Sequence, residues 1–429
     1  MKIILWGINY APESTGIAPF NADLCEYLTG CGHQVAAVTA FPYYPQWRKR
    51  PADRKRWFAT EKVRGVRVHR CGCYVPRVVT TVRRIVHELS FCLSSAWRIL
   101  RLPRADIYLV VSPPLALGFF AWMAAKAKRS RFVLHVQDLQ PDAAAGLGML
   151  PRGGLIPALY RLERFAYAKA AVVSGISDGM ISAFRAKGVP AEKRALLPNW
   201  LRVWTEAGRP DRSRAEARRH FDIDEHAMLA VYAGNLGRKQ HLEIMVAAAR
   251  LLAAEPAAGG HSVRMIIAGD GAARPELEAT LRAHPGLAVQ LLPLLSNADY
   301  HALLVAADVA VITQATGTGQ FFFPSKLLSV LAAGLPVIAV ADENSELADA
   351  VRKGCFGFTV APGDAAALAG ILRDLGESRD QLEAWTVGTG WVQRFSRATI
   401  LPQFEAMLGR AARGESAEVA PKPEEIVAA

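Results

Sequence analysis

Residues 231–243 read VYAGNLGRKQHLE. An apolar run beginning near 228 ends at Gly234, a second glycine follows at Gly237, two cations stand at Arg238 and Lys239, and helical periodicity sets in near 240. This is a buried strand, a glycine turn and a helix start. Glycines at a turn let backbone approach a ligand closely, and the free N–H groups of a helix start favour an anion. With Asn235 in the turn and two fixed positive charges beside it, the stretch suits a diphosphate. The spacing is not G-x-G-x-x-G, which counts against a dinucleotide cofactor.

Outward from this stretch the same alternation repeats. Downstream, apolar runs at 263–268, 287–292, 308–313, 336–340 and 356–360 are separated by helical patterns near 240–255, 274–283, 297–306, 323–334, 344–353 and 364–376. Upstream a separate series has strand patterns at 2–8, 34–39, 66–70, 106–111, 131–136, 170–174 and 194–197. Its helical patterns lie at 17–31, 80–101, 114–128, 154–169 and 177–187. Strand–helix alternation of this kind makes parallel sheets covered by helices on both faces. The expected fold is therefore α/β, with two doubly wound, Rossmann-like domains. The periodic pattern breaks near 198–226, so the domains are expected at 1–200 and 201–390, with a disordered tail at 411–429.

Ligands of open α/β sheets bind beyond the carboxyl ends of the strands. Three further loops there carry chemistry. Asn9-Tyr10-Ala11-Pro12-Glu13-Ser14-Thr15-Gly16 follows the first strand, and Gly269-Asp270-Gly271 follows the second strand of the C-terminal series. The stretch FVLHVQDLQPDAAAGLG (132–148) delivers His135, Gln137, Asp138 and Asp142 at a strand end. Alternation places His135 and Gln137 on one side and Asp138 on the other. These residues suit a general base or a hydroxyl orienter, and His135 equally suits a core position. In FFFPSKLLSVLAAGLPVIAV (321–340), Pro324 and Ser325 start a helix and Lys326 lies in its first turn, where the helix dipole disfavours a cation unless an anion is near.

The 429 residues carry a net charge of +12, distributed unevenly: residues 1–200 balance to +17 and residues 201–429 to −5. Residues 48–104 alone hold sixteen basic and three acidic side chains. Within them, residues 80–101 place Val82, Ile85, Val86, Leu89, Leu93, Ala96 and Leu100 at helical spacing, with Arg83, Arg84 and Arg98 off the stripe. This predicts an amphipathic helix with a basic outer face. Trp47 and Trp57 interleave with basic residues just upstream, as suits a membrane interface or a nucleic acid. No nucleic-acid-binding module is visible. The apolar window 107–125 is broken by Ser112-Pro113-Pro114 and reads as strand, turn and helix, not as a membrane span. The six cysteines form no C-x-x-C pair and read as free thiols of a reducing cytosol.

Taken in order, YAPESTGIA, GHQVAAVTAFPYYP, HVQDLQPD, GNLGRKQ, AGDG, PSK and AAGLPVIA resemble the family 4 glycosyltransferases of GT-B fold, in particular the branch acting in colanic-acid and O-antigen assembly, with its fucosyl- and N-acetylfucosaminyl-type transferases. The resemblance spans residues 1 to about 410. It implies two Rossmann-like domains facing across a cleft, joined by a final helix at 391–410 that returns to the N-terminal domain. It implies a retaining, metal-independent transferase of hexosyl type that needs no cofactor. The nucleotide diphosphate sugar donor would be held by Gly16, Gly234, Asn235, Gly237, Gly269, Ser325, Lys326 and Glu346. Arg238 and Lys239 would stabilise the leaving diphosphate, and His135 or Asp138 would touch the reacting sugars. The acceptor would be a lipid-linked saccharide at the anionic inner face of the plasma membrane, with Arg83, Arg84, Arg98, Trp47 and Trp57 as docking residues on a cytoplasmic, peripherally attached protein.

Two departures stand out. Phe321 and Ser329 occupy the places of the Glu-x7-Glu motif of many relatives, and Gln137 stands where many carry a histidine. A nucleotide-sugar 2-epimerase of the same fold, or a non-catalytic membrane-associated assembly subunit, are the alternative readings.

Overall fold

The computed structural model describes residues 1–142, 155–201, 212–254, 262–317, 326–378, 385 and 393–416. Contacts gather the chain into two units. One is formed by Met1–Asn199 together with the chain from Ala398 on, the other by Trp200–Arg397.

The first unit is built on an eight-stranded sheet: β1 (Lys2–Trp6), β2 (Gln34–Ala40), β3 (Phe58–Val63), β4 (Val66–Cys71), β5 (Ile107–Ser112), β6 (Arg131–Val136), β7 (Val172–Gly175) and β8 (Arg194–Leu196). Their order is β3-β4-β2-β1-β5-β6-β7-β8. All neighbours are parallel except β3 and β4, which run antiparallel. The central strands are buried on both faces, which is why β5 reads IYLVVS without alternation. β3 is an edge strand of sequence FATEKV, mostly exposed, inside the basic 48–104 stretch, where no strand was expected.

Among the described residues its helices are, in chain order, α1 (Ala18–Gly30), α2 (Thr81–Arg101), α3 (Leu117–Lys128), α4 (Leu155–Lys169) and α5 (Asp178–Ala186). The apolar window 107–125 thus divides into β5 and α3 around its two prolines. No helix among the described residues is long and apolar enough to cross a membrane. All six cysteines are free.

α2 corrects the expected orientation of its amphipathic stripe. Val82, Val86, Leu89, Leu93 and Leu100 face outward, whereas His87, Phe91, Cys92, Ser95 and Ile99 are buried. Polar anchors explain the inversion. The Ser95 hydroxyl accepts from Trp6 Nε1 at 2.9 Å, His87 bonds the Tyr74 carbonyl, and the Arg98 guanidinium donates to Thr60 and His69 at 2.6 and 3.0 Å.

The last described helix, here α13 (Arg397–Arg413), returns to the first unit. Its Phe404, Met407 and Leu408 are buried, and Glu405 meets His33 at 2.9 Å and Tyr27 at 3.2 Å. The helix runs through 411–413, which the sequence assigns to a tail; residues 417–429 lie outside the described residues.

The second unit has six parallel strands, β9 (Met228–Asn235), β10 (Val263–Asp270), β11 (Val289–Leu292), β12 (Val309–Thr313), β13 (Val337–Val340) and β14 (Gly357–Val360), ordered β11-β10-β9-β12-β13-β14. The helices are α6 (Arg214–His220), α7 (Glu243–Ala254), α8 (Arg274–Ala283), α9 (Asn297–Ala306), α10 (Lys326–Ala332), α11 (Glu346–Gly354) and α12 (Ala365–Glu377). Alternate residues of β9 enter two cores. Leu229 and Val231 pack toward α9 and α10, and Ala230 and Tyr232 toward α7 and α12. α6, inside the charged 198–226 run, is capped reciprocally by Ser213 and Glu216 and tied down by Arg218 to the buried Asp308. In both sheets the winding reverses beside a first strand, β1 and β9, so the loops after them sit at the switch points where such folds take ligands.

Candidate functional site

The second unit carries the most developed site. β9 and β10 stay in register to their last residues, with Gly234 opposite Gly269 and Asn235 opposite Asp270. The glycines there are obligatory for closeness. A Cβ on Gly269, whose φ is +148°, would lie 1.8 Å from the Gly234 carbonyl oxygen, and one on Gly271 would lie 2.5 Å from that of Leu236. Asn235 fills the space between, its amide nitrogen 3.0 Å from the Cβ position of Gly237 and its amide oxygen 2.8 Å from that of Gly271.

Gly234 corrects an expectation. The room it leaves is taken by Lys326, whose Cε would be 2.8 Å from a Cβ there. The Lys326 ammonium sits 3.6 Å from the centre of the buried Tyr232 ring and donates to the Tyr232 hydroxyl. That hydroxyl in turn donates to the Asn235 carbonyl at 2.7 Å. Burial, and then the charge of Lys239, hold the Lys326 amine well below the usual lysine range. Among the described residues Lys326 has no salt bridge. A cation placed at the start of α10, half-buried against an aromatic ring and near a second cation, is an arrangement that an anion stabilises.

Arg238 and Lys239 lie in a single 3-10 turn (238–240), and His241 follows in the left-handed region before α7 begins at Glu243. The two cations therefore precede the helix instead of occupying its first turn. The Arg238 side chain is 78% exposed and reaches Glu276 on α8 at 3.4 Å. Backbone bonds draw the neighbouring loops to the same edge: Ala315 N–H donates to the Lys239 carbonyl and Gln314 N–H to the Val340 carbonyl, both at 2.8 Å, and Gly317 N–H donates to Asp342 at 2.7 Å. Glu346 stands at the start of α11 on this edge, half-buried, just after the Ser345 cap. The structure thus brings Gly234, Asn235, Gly237, Arg238, Lys239, Gly269, Lys326 and Glu346 to one rim. Ser325 and Phe321 lie outside the described residues, and the Ser329 hydroxyl bonds Tyr300. Sequence reading missed Tyr232 and Asp342. Tyr232 stands inside the quoted stretch, where an aromatic in a strand reads as core.

The corresponding edge of the first unit is held by buried polar groups. Glu13 accepts from the backbone N–H of Tyr43 and of Tyr44, both at 2.9 Å, and from the Asn9 side chain, also at 2.9 Å. Burial nevertheless raises its pKa. Arg70, buried under the sheet edge, donates to the Ala11 and Ala40 carbonyls and to Glu61. These bonds fix the loop that ends at Gly16, where φ is +64°.

His135 is a core residue, which corrects its assignment to the reacting sugars. Its Nδ1 meets the Ser174 hydroxyl at 2.9 Å, its Nε2 accepts from the Gln137 amide at 2.8 Å, and the Phe404 ring of α13 covers it at 5.1 Å. Burial lowers its pKa to about 3, so it is neutral and closed to substrate. Gln137 is locked to Asn199. Asp138 is half-buried and within electrostatic reach of Tyr44 and Arg84, whereas Asp142 is clasped with Glu163 around Lys187.

The five expected docking residues also separate. Trp57 is 72% exposed and Arg83 lies on the surface. Trp47 packs edge-on against Tyr43 and His87 at 5.5 and 5.2 Å, Arg84 pairs with Glu88 at 3.0 Å, and Arg98 is the half-buried anchor bonded to Thr60 and His69. Trp47 and Arg98 are therefore framework, not free docking groups.

Comparison with known proteins finds relatives for both units. Residues 15–200 match the glycosyl transferase 4-like domain and residues 227–378 match the glycosyl transferases group 1. The chain is 33% identical over 352 residues to the colanic acid biosynthesis glycosyl transferase WcaI of Escherichia coli K12, covering 81% of this chain and 85% of that one. Among solved structures it resembles sucrose-phosphate synthase of Thermosynechococcus elongatus, with a TM-score of 0.73 at 17% identity, covering 95% of this chain and 98% of that one. It also resembles Anabaena HepE in complex with UDP-glucose, with a TM-score of 0.68 at 16% identity, covering 95% and 100%.

Proposed function

The chain belongs to the glycosyltransferases with a 4-like and a group 1 domain, in the GT-B fold, and from that premise we propose that it moves a sugar, with retention, from a nucleotide diphosphate sugar to a lipid-linked saccharide in exopolysaccharide or O-antigen assembly. The relative named for colanic acid biosynthesis supports the assembly process, and the UDP-glucose complex of a structural neighbour supports the donor class.

The observation that carries the reading is Lys326, a half-buried ammonium lying against Tyr232 beside Lys239, at the rim where a helix starts and Gly234 gives way. In the proposed reaction the acceptor hydroxyl oxygen forms a bond to the anomeric carbon on the face from which the diphosphate departs. The carbon–oxygen bond to phosphate breaks, and the hydroxyl proton goes to the leaving phosphate. Negative charge grows on that phosphate, and Lys326, Lys239 and Arg238 stabilise it there in place of a metal. The second unit holds the donor, with Glu346 toward its sugar or ribose. The first takes the acceptor near Asp138. The protein works on the cytoplasmic face of the membrane, attached peripherally.

The test is calorimetric titration with UDP, GDP and dTDP and their sugars, followed by NMR of the anomeric proton in the product. One nucleotide diphosphate is expected to bind, and Arg238→Ala with Lys239→Ala is expected to weaken it at least about tenfold. A product of inverted configuration, conversion of donor alone to a stereoisomer, or the absence of any nucleotide binding overturns the reading.

A further inference from the structure

We propose that the outward face of α2 inserts into the interfacial layer of an anionic bilayer, its apolar stripe among the upper acyl chains and its flanking cations against lipid phosphates. The inference rests on the reading above that the acceptor is lipid-linked.

The stripe consists of Val82, Val86, Leu89, Leu93, Trp97 and Leu100, all exposed, with Val82 at 70%, Leu93 at 61% and Trp97 at 50%. At about 100° per residue all six fall within about 80° of arc, on the side of the helix opposite Phe91 and Ser95. At about 1.5 Å per residue the row is roughly 27 Å long. This is not the scatter of single apolar residues found on any surface. The helix shows water a row of six large apolar side chains while the face it buries mixes Phe91, Cys92 and Ile99 with His87 and Ser95, so the outer face is made for contact. Exposed Val78 and Val79 extend it on the N-terminal side, and α3, packed alongside α2, adds exposed Met123.

The charges around it select the occupant. Arg101 lies 4.1 Å from the centre of the Trp97 ring, and on α3 Lys126 lies 5.6 Å from that of Trp122. Arg83 and Arg101 both stand about 80° round the helix from the centre of the stripe, on the same side. Cations beside aromatic rings at the margin of an apolar row match the headgroup level, where rings and aliphatic stems lie in the apolar layer and charges reach phosphate. A second copy is the poorer occupant. A two-fold interface sets a patch against itself, which would bring these basic flanks together. The placement also serves the reaction. Glu88 on α2 accepts from the side chain of Gln140, two residues beyond Asp138, so the helix is bonded to the loop that follows β6. A bilayer lying on α2 holds a lipid-linked saccharide beside that loop.

The test is flotation of the full-length protein with vesicles of phosphatidylglycerol and phosphatidylethanolamine, at 0.1 and 0.5 M NaCl, with light scattering for mass. Wild type is expected to float, and a measurable part to remain bound at the higher salt. The pair Leu89→Ser and Leu93→Ser is expected to lower partitioning at least about tenfold, with nucleotide binding and melting temperature unchanged. Trp97→Ser is a second, single-site probe of the stripe. Leu294→Ser, at an exposed apolar side chain of the second unit, is the matched control and is expected to do nothing. If the protein floats and the stripe variants float equally, the insertion is wrong and the membrane reading stands. If wild type does not float at all, both fall. A wild-type dimer that the stripe variants split overturns the inference in favour of a second copy.

Discussion

Gln137 and Asn199 hold each other by two reciprocal amide hydrogen bonds, Asn199 Nδ2 donating to Gln137 Oε1 at 2.9 Å and Gln137 Nε2 donating to Asn199 Oδ1 at 3.1 Å. The same Gln137 nitrogen donates to His135 Nε2, which leaves the imidazole proton on Nδ1, facing Ser174. One chain of polar groups thus runs from β7 through β6 to the last residue of the first unit's main segment. Truncating Asn199 strands a buried amide, and a stranded buried polar group costs about 1–3 kcal/mol. Asn199→Ala is expected to lose stability in that range. Asn199→Ala combined with Gln137→Ala should cost less than the sum of the two single changes, because each removes the other's partner. Urea unfolding of the four proteins measures the coupling, and strict additivity would show that the pair does not act as one unit.

The neutral histidines give the fold an acid limit. His135 is held down to about 3 by burial, and His69 to about 4 by burial and then by Arg98 and Arg67. In the unfolded chain both titrate near 6.5. Between those values the unfolded state binds more protons than the folded one, so stability rises with pH there. The contribution is full above about 6.5 and is lost as pH falls toward 4 and then 3, with a slope of up to about 1.4 kcal/mol per pH unit for each histidine. Urea midpoints measured from pH 7.5 to 4.5 should show this fall. His69→Asn is expected to flatten it. An unchanged slope would mean that His69 is protonated in the folded protein.

Strand and helix order was legible because fully buried parallel strands are unbroken apolar runs, as in β5 and β9. Two elements escaped. β3 is an antiparallel edge strand whose side chains are mostly wet and charged, so nothing in FATEKV marks it as buried. α6 was hidden in a run of charges, although Ser213 and Glu216 form a capping box whose S-x-x-E spacing is present in the sequence. Periodicity places α2's stripe on one face but cannot say which face meets the sheet. That was decided by hydrogen bonds to Trp6, Tyr74 and Thr60, residues distant in sequence. His135 is the same case. Alternation along β6 gives its side of the strand, and only Phe404, from the returning helix, closes that side to water. In the second unit the glycines and cations were legible as a rim, whereas the contact of Lys326 with Tyr232 joins two stretches 94 residues apart and had no local signal.

Lys326 is expected to separate stability from activity. Its charge is half-buried beside Lys239 and has no salt bridge among the described residues, and uncompensated burial of a cation is costly. Lys326→Met keeps the length of the side chain over Tyr232 and removes the charge. The melting temperature of the nucleotide-free protein should stay level or rise. Transfer should fall by about 10²–10³-fold if the ammonium meets the departing phosphate, the usual loss for one such group. Differential scanning calorimetry and initial rates check the two halves. A variant that is destabilised but fully active when folded would assign Lys326 to the framework.

Gly269 is the position at which the rim tolerates no side chain. A methyl group there would lie 1.8 Å from the Gly234 carbonyl oxygen, and φ of +148° is open to glycine alone. Relief would require parting β9 from β10 at the very residues that align Asn235 with Asp270. Gly269→Ala is therefore expected to unfold the second unit or to lower its stability by more than about 2 kcal/mol, with nucleotide binding lost at the same time. Gly286→Ala is the control, because a methyl at Gly286 meets nothing within 4 Å and its φ is not positive. Circular dichroism melts of both variants, beside calorimetric titration with nucleotide, make the comparison. A Gly269→Ala protein that melts within about two degrees of wild type would show that the strands part at little cost and that the rim is softer than its register implies.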